Sequence, residues 1–579
     1  MEQELMYSSP NEFMDYPIKV LALGGLDEMG KNCYVIEIDN DAYVIEAGLK
    51  YPPISVTGID YIIPDFDYLK NISSKIKGII ISHGHDDQYG AIGYLLNTIH
   101  APIYASQTTI SIIKTSLGKR FRKVLDAEYV TVEPSSTLTI GSHVFEFFQT
   151  THSVAQSFGF AIKTEFGNIV YTSDFMSDYS NLSGFQFDLP KVARLSENNK
   201  TFLLMMESES CTKPGIASPS HQISEHIRQY FEDSTGKIFI SLYSQNFYNI
   251  QEVIDLSRRY RKKILIANPE EVPFFDAMRE INEIVIPDDM RISFDQISRT
   301  SSNDIVVLIT GSGSEVLSYL KDICYGAVQS LKINKNDVFV IATPSVPGTE
   351  SVYTDVCDTV YRSDCHVIAL DRKKMSSMHA QEEDLKMMLS LFRPKYYMPI
   401  KGEYRLLLEN AKLAMSTGIG LNYFNTFVYD NGMVLCIDKH GNAVKKMFIV
   451  KAGDILVDGN SVGDVKEASI VERQQMSDSG IVVLSSMVSN INKTVSNPTL
   501  DMKGFMYLSD NDSITIQITS LLTNSINDMF AAGEEINLLD AEKKIESKLK
   551  KLIFKLTSKE PIIIVKLIDI DNIDPFDPR

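Results

Sequence analysis

His83 and His85 lie two residues apart, with Asp87 two further on, in the stretch GIIISHGHDDQYGAIGYLL that runs from Gly78 to Leu96. Two imidazoles and a carboxylate meeting at one point suit a borderline metal ion such as zinc. The competing reading is a polar loop ahead of a helix, with Asp86 or Asp87 serving only as its cap. The flanking elements decide between the two. Ile79, Ile80 and Ile81 make a short apolar run with strand character, and an apolar-periodic helix is predicted to open at Gly90. Residues two apart on a strand share a face, so both imidazoles leave it together. Strand, histidine pair, carboxylate and glycine-containing helix start together favour a metal site.

Two later residues fall at comparable places. His152 in QTTHSVAQSFGFAI and Asp174 in NIVYTSDF each follow a strand-like run, where open α/β sheets gather ligands. Either one alone reads more simply as a structural polar residue. TGSGSE (310–315) follows a strand and opens a helix, so the backbone around Ser312, Gly313, Ser314 and Glu315 would favour a phosphate oxygen. A tight turn is the plain alternative there.

The 579 residues are enough for two to four domains. No apolar run approaches the roughly 18–20 residues that cross a bilayer, and MEQELMYSSPNEFMDY lacks the layout of a secretory signal, so cytoplasmic residence without a membrane partner is expected. Six scattered cysteines without a CxxC pair argue against a disulfide scaffold or a cysteine zinc site. The net charge of −19 counts against a nucleic-acid binder when taken alone, although lysines can still line one groove.

Residues 18–50 read as three short strands with turns at Gly24-Gly25 and Asn40-Asp41. From TFLLMM (201–206) onward, strands and helices alternate through NDIVVLITGSGSEVLSYL and NDVFVIATPS to CHVIAL, the pattern of a parallel sheet inserted into the first domain. After a strand-rich link and a GDV turn near 463–465, a separate α/β unit closes the chain. Its basic run Lys543, Lys544, Lys548, Lys550 and Lys551 reads as a solvated helix face, with RNA contact as the lesser reading.

The histidine stretch resembles the H-x-H-x-D-H signature of the metallo-β-lactamase superfamily, with Gln88 in place of the last histidine. YVIEAGL resembles that superfamily's VIDAGL strand, with Glu46 one methylene longer than the aspartate there. The inserted sheet resembles a β-CASP domain, and several segments resemble ribonuclease J. TGSGSE is similar to TGSQGE. YSQNFYNIQE, which contains Asn246, is similar to FASNIHRIQQ, with Tyr248 and Asn249 replacing a histidine and an arginine. KMSSMHAQEE aligned on QEE keeps Ser376 but puts Lys374 and Met378 where that family has histidines, and His379 lies one position off. PIKGEYR keeps Gly402, Glu403, Tyr404 and Arg405, while Lys401 replaces a histidine that binds the second metal.

The resemblance implies an α/β metallo-β-lactamase αββα sandwich over 1–215 and 371–455, a β-CASP domain over 216–370 and a small C-terminal α/β domain over 465–579. It implies a first metal on His83, His85, His152 and Asp174. Of the second set, Asp87 and Asp174 remain, while Gln88 and Lys401 replace histidines. One zinc ion is therefore expected rather than two, with manganese as the other metal considered. Asp87 and, weakly, Ser376 are the catalytic residues implied; Ser312, Gly313, Ser314, Glu315, Asn246 and Ser376 are the RNA-binding ones. Lys401 is expected to pair with Asp87 and to stand in for the missing ion. The favoured function is an RNA-binding subunit of RNA processing and decay with weak or no nuclease activity. It would form a homodimer, or a hetero-oligomer with an active paralogue, through the C-terminal domain. An active metal-dependent exo- and endoribonuclease is the alternative. A single-metal hydrolase of small esters or lactams is disfavoured by the inserted sheet.

Overall fold

The computed structural model describes residues 7–8, 12–53, 56, 58–178, 184–198, 200–313, 315–345, 349–370, 377–459, 461–463, 467–506, 512–533 and 535–571. The chain forms two compact units, Met1–Pro53 with Tyr61–Ile455, and Ile54–Asp60 with Leu456–Arg579.

The first unit is built on two facing sheets. One has eight strands, in the order Phe448–Ile449, Met433–Ile437, Ile18–Gly24, Cys33–Ile38, Asp41–Ile45, Ile76–Ile81, Ile103–Ala105 and Tyr129–Thr131. The other runs Tyr396–Ile400, Thr201–Glu207, Gly167–Tyr171, Phe158–Thr164, His143–Gln149 and Thr137–Ile140. Ile18–Gly24, Cys33–Ile38 and Asp41–Ile45 are buried along their whole length, as strands covered on both faces must be. Val20, Tyr34, Ile36 and Tyr43 pack between the sheets against Phe145, Phe147, Phe158 and Phe160. On the outer side of the second sheet, Phe148, Ala161, Val170, Leu204 and Met206 meet Val192, Leu385, Met388, Leu389 and Leu406 of three covering helices. This is the expected sandwich.

Two expectations are corrected. TFLLMM belongs to the second sandwich sheet, where Thr201–Glu207 pairs in parallel with Gly167–Tyr171 and Tyr396–Ile400. A uniformly buried strand reads the same in either sheet, so its apolar run alone could not assign it. The helix expected from Gly90 is preceded by a helical turn at Asp86–Tyr89 and continues at Ile92–Leu95.

The inserted sheet holds six strands, Arg291–Ile292, Lys263–Ile266, Ile305–Gly311, Ile238–Tyr243, Val338–Ile341 and His366–Ala369, all neighbours parallel. The chain leaves the sandwich after Glu207 and returns through the strand Tyr396–Ile400, with Glu207 opposite Ile400. Residues 208 and 401 are thereby brought together, and Ser208 N–H donates to Lys401 O at 3.1 Å.

In the second unit the strand Ile481–Ser489 pairs antiparallel with Thr499–Lys503 and parallel with Ile562–Asp569. Helices Asp512–Ala531 and Leu538–Thr557 cover one face of this sheet through Ile518, Leu522, Ile545 and Leu549. The lysines 543, 544, 548, 550 and 551 are exposed, as a solvated helix face requires. Asp464 and Val465 of the expected turn lie outside the described residues.

Candidate metal centre and its cavity

Strand ends assemble the site. His83 follows the strand ending at Ile81, Asp174 the strand ending at Tyr171, His152 the strand ending at Gln149 and Lys401 the strand ending at Ile400. Glu46, Ser173 and Lys401 hold left-handed backbone conformations (φ 63°, 58° and 52°), which non-glycine residues adopt at a cost and which gather at functional sites.

Three imidazoles converge. His85 Nδ1 lies 3.2 Å from His83 Nε2 and 3.1 Å from His152 Nε2. Asp174 Oδ2 lies 3.5 Å from His83 Nε2 and 3.7 Å from His152 Nε2. Bonds of about 2.0–2.1 Å to a tetrahedral zinc put its ligands about 3.3–3.4 Å apart, so these four side chains fit such an ion. Their other nitrogens are held from behind. His152 Nδ1–H donates to Met378 O at 2.8 Å, which leaves Nε2 as the inward lone pair. His85 Nε2 meets the Ser153 hydroxyl at 2.9 Å, and His83 Nδ1 meets Ser82 Oγ at 3.0 Å. Burial lowers the His83 pKa to about 3 and those of His85 and His152 well below the usual value, keeping all three neutral as metal ligation requires.

The neighbouring position is arranged differently. The Lys401 ammonium lies against Asp174 Oδ2 and 3.1 Å from Asp87 Oδ2. The lysine is 4% exposed and Asp174 is buried with it, while Asp87 is half-buried. Burial opposes the ammonium charge, but Asp174 and Asp87 outweigh it and hold the Lys401 pKa well above its usual value. Asn32 Nδ2 donates to Asp87 Oδ2 at 3.0 Å, and Gln88 Nε2 donates to Asp174 Oδ2 at 3.4 Å. Gln88 Oε1 is buried without a hydrogen-bond partner. The place that Asp87, Gln88, Asp174 and residue 401 surround therefore holds an ammonium, and its donor set does not suit a second dication.

Sequence reasoning missed a third group. His379 Nδ1 pairs with Glu207 Oε2 at 2.7 Å, and its Nε2 lies 3.3 Å from Glu209 Oε2. Burial works against its charge, but Glu209 and Glu207 raise its pKa to about 9. Met378, in the position that resembles a histidine, contributes its carbonyl to His152. Glu207 also accepts the backbone N–H groups of Phe175 and Ala380 at 2.9 and 3.1 Å. The spacing between Glu207 and His379 gives no local sequence signal for this pairing.

Glu46 supports the histidine strand and does not join the ligands. Its carboxyl accepts Ser82 N–H at 3.2 Å and the Tyr171 hydroxyl at 3.0 Å. Burial raises its pKa to about 8. With a folded pKa above the unfolded value, the folded state holds the extra proton, so this group's contribution to stability falls as pH rises from about 4.5 to 8. Glu46→Gln is expected to flatten that slope, as checked by urea unfolding across pH 5–8.

These residues open onto a cavity of about 340 Å³ whose lining includes His85, Asp87, His152, Ser312, Gly313 and Lys401. Asn246 lines it too, with its Oδ1 capping the helix Phe247–Arg259 by accepting Asn249 N–H at 3.2 Å. Ser312 Oγ donates to Glu315 Oε2 at 2.7 Å. Tyr248 is buried against His221, with ring centroids 4.6 Å apart. Lys374, Ser376 and Ser314 lie outside the described residues. Among the described residues no helix is long and apolar enough to cross a membrane.

Known proteins resemble this chain along nearly its whole length. Family models match at residues 26–186 (metallo-beta-lactamase superfamily), 235–360 (ribonuclease J, beta-CASP domain), 366–427 (Zn-dependent metallo-hydrolase RNA specificity domain) and 468–570 (ribonuclease J C-terminal domain). Ribonuclease J2 of Bacillus subtilis (strain 168) is 29% identical over 554 residues, which is 96% of this chain and 99% of that protein. Ribonuclease J 2 of Staphylococcus aureus (strain NCTC 8325 / PS 47) is 28% identical over 559 residues, covering 96% and 98%. A crystal structure of a protein of unknown function from Enterococcus faecalis V583 shares the fold at a TM-score of 0.50 and 14% identity, covering 72% of this chain and all of that one. With matches of this kind along nearly its whole length, the chain belongs to the ribonuclease J family of metallo-β-lactamase, β-CASP nucleases.

Proposed function

We propose that this protein binds RNA in its cavity, holds one zinc ion on His83, His85, His152 and Asp174, and cleaves RNA weakly or not at all. It would serve as the partner of an active ribonuclease J paralogue, joined through the C-terminal domain, in RNA processing and decay. The observation that carries this reading is the Lys401 ammonium between Asp87 and Asp174. The domain bounds 1–215, 216–370, 371–455 and 465–579 go with it.

A zinc ion bound there would act as a Lewis acid on a phosphate oxygen. The chain's own residues define what else is possible. Lys401 pairs with both carboxylates and repels a second cation, but an ammonium cannot coordinate and ionise a water molecule. Met378 has no proton to give a leaving group, and general-acid help is worth about 100- to 10,000-fold. A second reading, a slow nuclease using one zinc or manganese ion, is favoured by His379, whose charged ring stands 4.0 Å from Asp174 Oδ2.

Purified protein mixed with 5′-monophosphorylated single-stranded RNA separates the readings. The expected result is bound RNA left intact, with His83→Ala no different in cleavage. Slow cleavage abolished by His83→Ala would support the second reading, and rapid degradation would contradict the first outright.

A further inference from the structure

Tyr51 stands on the rim of the same cavity and remains 44% exposed. Two sides of its ring are fixed. The hydroxyl donates to Asp86 Oδ2 at 3.0 Å, and Asp86 Oδ1 in turn accepts Gln245 Nε2 at 3.1 Å. A Cβ placed on Gly313 would lie 3.4 Å from Tyr51 Cζ, at ordinary contact distance, so one side of the ring faces Gly313. Gly313 holds φ +46°, in the left-handed region that favours glycine. An aromatic ring anchored through its hydroxyl and one flank, with part of its surface still open, is ordered before anything binds.

The cavity's charges say what such a ring is for. The two lysines and His379 that line it are already engaged: Lys401 with Asp87 and Asp174, Lys50 with Glu28 and Asp454, whose Oδ2 lies 3.0 Å from Lys50 Nζ, and His379 with Glu207 and Glu209. Asp86, Asp87 and Glu209 line the same space. A strand entering here gains little from phosphate pairing at the rim, so its bases must supply the contact there. Stacking on an aromatic face serves any base, because every base has a π-face.

We propose that Tyr51 is a stacking platform for one nucleobase of single-stranded RNA at the cavity rim. The proposal rests on the RNA-binding reading given above. It also assigns Asp86, which that reading leaves without a role, as the residue that positions the ring.

The test uses the full chain and a fluorescein-labelled single-stranded RNA 12-mer, with affinities of wild type, Tyr51→Phe and Tyr51→Ala measured at several salt concentrations. A second set of strands carries a single abasic ribose, moved one position at a time along the RNA. Tyr51→Ala is expected to bind roughly 10-fold more weakly, and Tyr51→Phe within about threefold of wild type. At one abasic position the difference between wild type and Tyr51→Ala should vanish. The slope of affinity against salt should be the same for both, because stacking releases no counterions. RNA bound equally well by wild type and Tyr51→Ala would overturn the platform alone. A loss of equal size at every abasic position would do the same. Failure of wild type to bind any strand would overturn the RNA reading and the platform with it.

Discussion

Replacing Gln88 and Lys401 together by histidine is expected to create a second metal position and to raise RNA cleavage by roughly 100-fold or more. The expectation follows from what is already in place. Asp87 and Asp174 face the ammonium from two sides, and Gln88 Nε2 reaches Asp174 at 3.4 Å. Two imidazoles at these positions would supply neutral ligands where an amide and a cation now stand. A second Lewis acid stabilises several kcal/mol of charge in the transferring phosphate, and each 1.4 kcal/mol or so is tenfold in rate. Zinc content and cleavage of 5′-monophosphorylated RNA should rise together. Two ions without activity would place the remaining defect at Met378. A single ion in the double variant would mean that the exchange of residue 401 is not what limits the site.

Removing the ammonium without replacing it should be costly. Lys401→Ala leaves the buried Asp174 and the half-buried Asp87 beside each other without their cation, and losing one partner of a buried ion pair destabilises by about 3–5 kcal/mol. The deficit should be seen by urea unfolding in chelator and should shrink in zinc, because a dication can enter the vacated space and bind only the folded state. A variant as stable as wild type in chelator would show that the cluster does not depend on this charge.

Much of this was legible in the sequence because the ligands belong to strand ends. His83 and His85 close a run of isoleucines, and His152 and Asp174 follow strands of their own, so topology had only to bring the ends together. Lys401 was placed by its position at the end of PI in PIKGEYR, and the parallel pairing of Glu207 with Ile400 carries it to the carboxylates. His379 was not legible in the same way. Its neighbour Met378 occupies the aligned position, and its own partners, Glu207 and Glu209, lie on a strand end whose proximity depends on the whole inserted domain being spanned. Thr201–Glu207 was misassigned to the inserted sheet because burial on both faces erases the alternation that would mark its side. Tyr51 carried no signal, since its neighbours Asp86 and Gly313 come to it from distant parts of the sequence.

Lys401 and a second dication compete for one space, and a count of zinc per chain in the purified protein decides between them. Elemental analysis after removal of loosely held metal should find one zinc ion per chain, lost in His83→Ala. Two tightly held ions in the wild-type protein would contradict the account, which assigns the chain one zinc ion.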